Sequence, residues 1–151
     1  MEDDLMVHIF LVEDDEVDVM NVKRAFKKNN VLNPLHVAKN GEMALHMLRG
    51  TGGFPKLDPR PQIVLLDINM PRMNGLEFLR EVREDPELSP MSVFVLTTSK
   101  EDSDRFEAYK LNVAGYIIKP VSFSQFLEKV RVLNSYWKLC EMPPETNDTD
   151  G

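Results

Sequence analysis

The chain has a single cysteine, Cys140, among its 151 residues. One cysteine excludes an internal disulfide and a cysteine-rich zinc site, and it is typical of a protein in a reducing compartment. The three histidines, at positions 8, 36 and 46, do not have the spacing of metal ligands. We therefore expect a cytoplasmic protein in which the histidines are structural.

A long hydrophobic run and a surplus of basic residues are also absent. No apolar stretch approaches the about 20 residues that cross a bilayer, and the acidic first ten residues differ from the basic start of a signal peptide. The 18 basic residues are outnumbered by 25 acidic ones, which gives a net charge of −7. Because phosphate contacts need clustered basic residues, we expect a protein partner, no nucleic acid and no membrane.

The length suits one domain with a full core and is too short for two ordinary domains. We divide the chain into an N-terminal segment (1–6), a domain (7–135), a C-terminal extension or dimerisation arm (136–144) and a disordered tail (145–151). The tail is assigned as disordered because it is polar and lacks apolar groups to anchor it.

Short apolar runs alternate with segments of helical periodicity along the domain. The predicted strands are 7–12, 35–38, 63–66, 92–96 and 116–118. The predicted helices follow the first strand, start at Gly41, cover 76–83 and 102–111, and begin at Ser122. Residues 50–62, rich in Gly and Pro, are predicted to be a surface loop. This alternation predicts an α/β fold, a doubly wound five-stranded parallel sheet with helices on both faces.

The start of the last helix carries several signals at once. Ser122 is expected to cap the helix, Gln125 to reach back to the cap, and Val121 to pack on Phe126 as a hydrophobic staple.

The sequence VLLDINMP, residues 64–71, is an apolar run that stops at Asp67. In an open α/β sheet the reactive groups lie at the carboxyl ends of the strands, where residues distant in sequence meet. The residues predicted to meet there are Glu13 and Asp14 after the first strand, Asp67 after the third, Thr97 and Thr98 after the fourth, and Lys119 with Pro120 after the fifth.

Three carboxylates in one cleft repel each other unless a cation lies among them. An acidic site without His or Cys fits magnesium better than zinc, and Mg2+ completes its coordination with water and phosphate oxygens. With a hydroxyl from Thr97 and a positive charge from Lys119, the site suits attack by Asp67 on phosphorus to form an acyl phosphate. An aspartate is ionised at neutral pH, so no general base is needed.

The ordered set at the strand ends, together with Asn74-Gly75, resembles the receiver domain of two-component response regulators over residues 5 to about 135. The resemblance implies a flavodoxin-like sheet with strand order 2-1-3-4-5. It makes Asp67 the phosphoacceptor, assisted by Lys119 and Thr97, and Thr97 and Tyr116 the switch residues. It also implies a cis Lys119–Pro120 bond. The implied Mg2+ ligands are Asp14, Asp67, the main-chain carbonyl of Asn69 and, through water, Glu13, and no other cofactor is expected.

By the same resemblance, the chain is a single-domain response regulator that accepts a phosphoryl group from a histidine kinase. It signals through phosphorylation-dependent partner binding or dimerisation, or it relays the group to a histidine phosphotransfer protein. The long loop and residues 136–144 resemble regulators paired with phytochrome-type histidine kinases (bacteriophytochromes). A homodimer is expected. The face of helix four, strand five and helix five is expected to be the surface at which partners detect phosphorylation.

Two other functions and one structural choice stay open. A phosphatase of the haloacid dehalogenase kind also forms an aspartyl phosphate, but it needs a second acid two residues after the nucleophile, where this chain has Asn69. A phosphorylation-independent interaction module would use the same fold. The segment around Trp137 either folds back on its own domain or docks on a second subunit.

Overall fold

The computed structural model describes residues 6–143. The predicted disordered tail, 145–151, and residues 1–5 of the N-terminal segment lie outside the described residues.

Five strands alternate with five helices in the described chain. The strands are β1 (Ile9–Val12), β2 (Leu35–Ala38), β3 (Ile63–Leu66), β4 (Ser92–Thr97) and β5 (Gly115–Ile118). The helices are α1 (Glu16–Lys28), α2 (Gly41–Arg49), α3 (Gly75–Glu84), α4 (Asp102–Lys110) and α5 (Phe123–Leu139). All strand pairs are parallel, in the order β2-β1-β3-β4-β5. The predicted fold and strand order are confirmed.

The register of the sheet brings the strand ends to one edge. Val12, the last residue of β1, lies beside Ala38 of β2 and Leu66 of β3. The residues that follow β1 and β3 are therefore neighbours, although more than 50 positions separate them in the sequence.

Two apolar layers cover the sheet, one on each face. Alternate residues of β1 contribute to opposite layers, with Phe10 on the side of α2 and α3 and Leu11 on the side of α1 and α5. Strands β1 and β3 are fully buried, as expected for central parallel strands. The helices thus cover both faces of the sheet, and the residues after the strand ends lie outside these two layers.

The predicted start of α5 is partly wrong. The Ser122 hydroxyl accepts a hydrogen bond from the Gln125 amide, so the cap is present. However, Val121 is fully exposed and does not staple onto buried Phe126. The chain turns outward before the helix, which removes Val121 from the core. The reciprocal capping box in the structure lies at α3, between Asn74 and Glu77.

Helix α5 passes residue 135 without a break and continues to Leu139. The Trp137 side chain is 5% exposed, packs against Phe26 and Phe94, and donates a hydrogen bond to the Asn134 side chain over 2.8 Å. This part of the extension therefore folds back on its own domain. Leu139, at 84% exposed, leaves an apolar side chain for another surface.

The expected cis Lys119–Pro120 bond is not found. Within the described residues the cis bond is Asp58–Pro59, in the loop before β3. Lys119–Pro120 has the trans form, which X-Pro bonds ordinarily prefer. Within residues 6–143, no helix combines the length and apolar character needed to cross a membrane.

Candidate functional site

Three carboxylates meet at the carboxyl edge of the sheet. Glu13, Asp14 and Asp67, which we call the three-acid group, each offer a ligand atom, and these atoms lie within 4.8 Å of one another. Glu13 and Asp67 are buried, at 2% and 7% exposed, whereas Asp14 is exposed. The group therefore opens to solvent on the Asp14 side.

The ends of β1 and β3 hold these acids in place through the backbone. The Glu13 amide donates to the Ala38 carbonyl over 2.9 Å, and the Asp67 amide donates to the Val12 carbonyl over 3.0 Å. Each acid thus extends the sheet ladder by one residue before the chain turns away. One carboxylate oxygen of Asp67 also accepts the Ile68 amide over 2.9 Å, which orients the side chain.

Gly75 allows the chain to pass close to Asp67. A Cβ atom at this position would lie 2.2 Å from the Asp67 carbonyl oxygen, far inside any normal contact. The Gly75 amide instead donates to the Ile68 carbonyl over 2.9 Å. The first residue of α3 is therefore fixed against the loop that carries Asp67, and the sequence signal Asn74-Gly75 has a steric cause.

The ammonium group of Lys119 lies among three acids. Its Nζ atom donates to Glu13 over 2.5 Å and to Asp18 over 2.7 Å, and it lies 3.8 Å from the Asp67 carboxylate. The Lys119 amide donates to the Thr97 carbonyl over 2.8 Å, which extends the ladder between β4 and β5. The predicted lysine is therefore in the site, with a carboxylate partner that sequence reasoning missed.

Burial sets the protonation balance of this cluster. It raises the pKa of Glu13, and the charge of Asp67 raises it further, while the hydrogen bond from Lys119 opposes both effects. Burial acts to lower the pKa of Lys119, but hydrogen bonds to Asp18 and Glu13 outweigh it and the net direction is upward. The lysine is thus held in its charged form, and one cation does not compensate all the acids.

The donor set of the three-acid group fits a hard divalent cation. All three side chains offer oxygen, and the group contains no His or Cys. Carboxylate oxygens are the ligands that Mg2+, Mn2+ and Ca2+ prefer, and such an ion would offset the repulsion between Glu13 and Asp67. Asn69 lies two residues beyond Asp67 and is exposed. The assignment of its carbonyl as a ligand stays a prediction.

Thr97 and Tyr116, the predicted switch residues, are both connected to Ser99. The hydroxyl of buried Thr97 accepts the Ser99 amide over 3.2 Å, and the Tyr116 phenol donates to the Ser99 carbonyl over 3.1 Å. The Ser99 hydroxyl donates to Asp104 of α4 over 2.7 Å. Thr98 is exposed between them. Ser99 therefore joins the site to the first turn of α4, a connection the sequence did not reveal.

Asp18 was missed because its neighbours are also acidic. It follows Glu13, Asp14, Asp15 and Glu16 in a run at the start of α1, where acids are ordinary partners of the helix dipole. Asp15 caps the helix through its side chain. Only the fold of β5 onto β4 brings Lys119 to Asp18, and no local pattern reports that contact.

Known proteins resemble this chain over nearly its full described length. Residues 9–131 match the family model described as the response regulator receiver domain. The response regulator Rcp1 of Synechocystis sp. is 33% identical over 129 residues, which are 85% of this chain and 87% of that protein. The match includes all five strands and the three-acid group.

Solved structures give the same relationship. The phosphorylated cyanobacterial phytochrome response regulator RcpA is 33% identical with a TM-score of 0.85, covering 92% of this chain and 99% of that chain. The Mn2+-bound form of Rcp1 is 31% identical with a TM-score of 0.83, covering 91% of this chain and 99% of that chain.

Proposed function

The chain belongs to the response regulator receiver family, and on this basis we propose that Asp67 accepts a phosphoryl group from a histidine kinase. The observation that carries the proposal is the position of Asp67, buried at a strand end within the three-acid group and 3.8 Å from the Lys119 ammonium. The phosphorylated protein then acts as a signal through altered contacts.

The transfer step needs little from the protein beyond position and charge. A carboxylate oxygen of Asp67 attacks the phosphorus of a phosphohistidine, the phosphorus–nitrogen bond breaks, and the imidazole keeps the electron pair and takes a proton from solvent. Lys119 is placed to neutralise charge on the transferred oxygens, and the Thr97 hydroxyl to hydrogen-bond to one of them.

We assign Mg2+ as the metal. Asp14 and Asp67 would bind it directly, Glu13 through water, and the Asn69 carbonyl would complete the protein ligands. When bound, such an ion would supply positive charge that offsets the negative charge of the phosphoryl oxygens. The support from this chain is the oxygen-only donor set of the three-acid group.

Phosphorylation would act on α4 through Ser99. A phosphoryl group adds about 1.5 to 2 negative charges and strong hydrogen-bond acceptors at one point. If Thr97 turns towards it, the bond from the Ser99 amide to Thr97 is lost. Because Tyr116 and Asp104 also bond to Ser99, that change reaches both β5 and the start of α4.

The α4–β5–α5 face is the proposed reading surface. Its exposed apolar side chains are Phe106 and Tyr109 on α4 and Val132 and Tyr136 on α5. Apolar groups in such number on one face indicate a partner surface, and we propose that it forms a homodimer. Exposed Leu139 follows on the same helix, three residues beyond Tyr136 and seven beyond Val132, and extends this face along the segment 136–144.

We propose that the kinase is of the phytochrome type and docks beside the site. The support is the similarity to Rcp1 and RcpA, and the exposed apolar side chains Val17, Met20 and Val121 on α1 and the β5–α5 loop. A histidine phosphotransfer protein would use the same entry in a relay. With these partners, we propose a cytoplasmic location for this chain.

We do not expect turnover of a phosphorylated small molecule, since Asn69 occupies the place of the second acid that aspartate-nucleophile phosphatases require.

The test is phosphotransfer from candidate histidine kinases to the wild type, Asp67→Asn and the control Asp102→Asn, whose side chain is 91% exposed on α4. We expect labelling of the wild type and the control alone. Full labelling of Asp67→Asn, or multiple turnover of a phosphomonoester, would contradict the proposal.

A further inference from the structure

Lys119 makes a bond that the phosphoacceptor site does not require. Its ammonium group donates to Asp18 of α1 over 2.7 Å, in addition to Glu13 over 2.5 Å. The Asp18 side chain is 32% exposed, compared with 3% for Glu13. Asp18 therefore holds the lysine from the solvent side, outside the three-acid group.

The bond to Asp18 occupies a donor that a phosphoryl group would use. An ammonium group has three N–H donors, and Glu13 and Asp18 take two of them. Asp67, at 3.8 Å from Nζ, is beyond hydrogen-bond distance. In the unphosphorylated chain, Lys119 is thus hydrogen-bonded to Glu13 and Asp18, and not to Asp67.

Charge acts in the same direction as geometry. Three carboxylates, those of Glu13, Asp18 and Asp67, lie 2.5, 2.7 and 3.8 Å from the Lys119 ammonium. Asp14 adds a further acid beside Glu13 and Asp67. A phosphoryl group brings further negative charge to this place and gains most from a lysine whose charge is not already compensated. A carboxylate 2.7 Å from Nζ opposes that gain directly.

We propose that Asp18 is a positioning residue that retains Lys119 against α1 and disfavours the phosphorylated state. The proposal rests on the proposed function, because it concerns the lysine partner of phosphorylated Asp67. On phosphorylation, the hydrogen bond between Asp18 and Lys119 breaks, and the Lys119 ammonium donates to the phosphoryl oxygens instead. The negative charge at position 18 then lowers the stability of the phosphorylated form relative to the unphosphorylated one.

The test measures the affinity for beryllofluoride, which imitates a phosphoryl group on aspartate, by calorimetry at saturating Mg2+. Asp18→Asn keeps an oxygen acceptor of the same size and removes the charge. We expect it to bind beryllofluoride about 3- to 10-fold more tightly than the wild type, the scale of one partly exposed charge contact. The matched control is Glu16→Gln, an exposed acid of the same helix without an ion pair in the described chain, and it should leave the affinity unchanged.

A double-mutant cycle separates this role from a structural one. If Asp18 acts through Lys119, Asp18→Asn should have no effect on affinity in a Lys119→Gln background. The structure of the beryllofluoride-bound wild type is a second readout, in which Asp18 should lie beyond hydrogen-bond distance of Nζ. An unchanged or weaker affinity of Asp18→Asn, or an intact Asp18–Lys119 bond in the bound structure, would overturn the role of Asp18.

The two proposals fail in different ways. If the wild type itself did not bind beryllofluoride with Mg2+, the phosphoacceptor function would be wrong. If the wild type binds and Asp18→Asn binds no better, the function stands and the role of Asp18 falls.

Discussion

The Lys119 ammonium and the Asp67 carboxylate lie 3.8 Å apart, within the range of a strong charge interaction and beyond that of a hydrogen bond. Glu13 and Asp18 hold the lysine at this distance. The site therefore has its acids and its base in place, while Lys119 makes no hydrogen bond to Asp67, the proposed phosphoacceptor. This arrangement has consequences for stability as well as for signalling.

Neutralising Asp67 should stabilise the metal-free chain. Asp67 is close to two acids, Glu13 and Asp14, and to one base, Lys119, so Asp67→Asn removes more repulsion than attraction. We expect the free energy of unfolding to rise by about 1 kcal/mol in the presence of a chelator. Mg2+ should stabilise the wild type and have a smaller effect on the variant. Thermal unfolding with and without Mg2+ measures both effects.

A matched control is Glu42→Gln, an exposed acid at the start of α2, which should change stability by less than about 0.5 kcal/mol. A chelated Asp67→Asn protein that unfolds more easily than the wild type would show that the acids do not repel in the folded chain.

The stability of the fold should decrease below neutral pH because of His36. Its Nε2 atom lies 3.0 Å from Nδ1 of His8, and burial, followed by the charge of His8, lowers the pKa of His36. The unfolded chain therefore binds protons more readily. This contribution is present above the unfolded pKa of about 6.5 and is lost as the pH falls below it.

Denaturant unfolding between about pH 7.5 and pH 5.5 should show this slope. His36→Gln should flatten it, and His8→Gln should reduce it less, since burial is the larger cause. A slope unchanged in His36→Gln would assign the pH dependence to other groups.

Ser99→Ala should loosen the start of α4. The Ser99 hydroxyl bonds to Asp104, and α4 has no side-chain cap of its own within the described chain. Loss of one such bond, worth about 1 kcal/mol, should speed amide exchange in the first turn of α4 by about 5-fold. Hydrogen exchange read by mass spectrometry checks this. Ser103→Ala, at an exposed position of the same helix, should have little effect on amide exchange. Equal effects of the two variants would show that Ser99 does not connect the site to α4.

Two residues near the end of α5 should have different roles: Trp137 should contribute to stability, and Leu139 to the homodimer. Trp137→Ala should cost about 3 kcal/mol of stability, because the indole packs on Phe26 and Phe94 and bonds to Asn134. Leu139→Asp should leave stability unchanged and weaken the homodimer in analytical ultracentrifugation. A dimer unaffected by Leu139→Asp would exclude Leu139 from the interface.

The strand ends were predictable from the sequence because the strands appear as short apolar runs, and the runs of β1, β3 and β5 are each followed by a charged residue. Glu13, Asp67 and Lys119 follow their strands directly, so the sheet order was enough to bring them together. The bond from Lys119 to Asp18 was not predictable, since Asp18 lies on α1, 101 positions away in the sequence, and no local pattern reports the contact.

Local rules were less reliable where the chain turns. Val121 has the spacing of a staple, yet it is fully exposed while Phe126 is buried. Trp137 and Leu139 belong to one apolar segment of the sequence, and only the contact with Phe26 and Phe94 separates the buried residue from the exposed one.

The central claim is that Asp67 carries the phosphoryl group, and locating the group tests it most directly. The wild type is phosphorylated by a histidine kinase with Mg2+, reduced with borohydride to convert an aspartyl phosphate into homoserine, and sequenced as peptides by mass spectrometry. The account predicts homoserine at position 67 alone, and none without the kinase. Homoserine at Asp14 or another acid, with Asp67 intact, would contradict it.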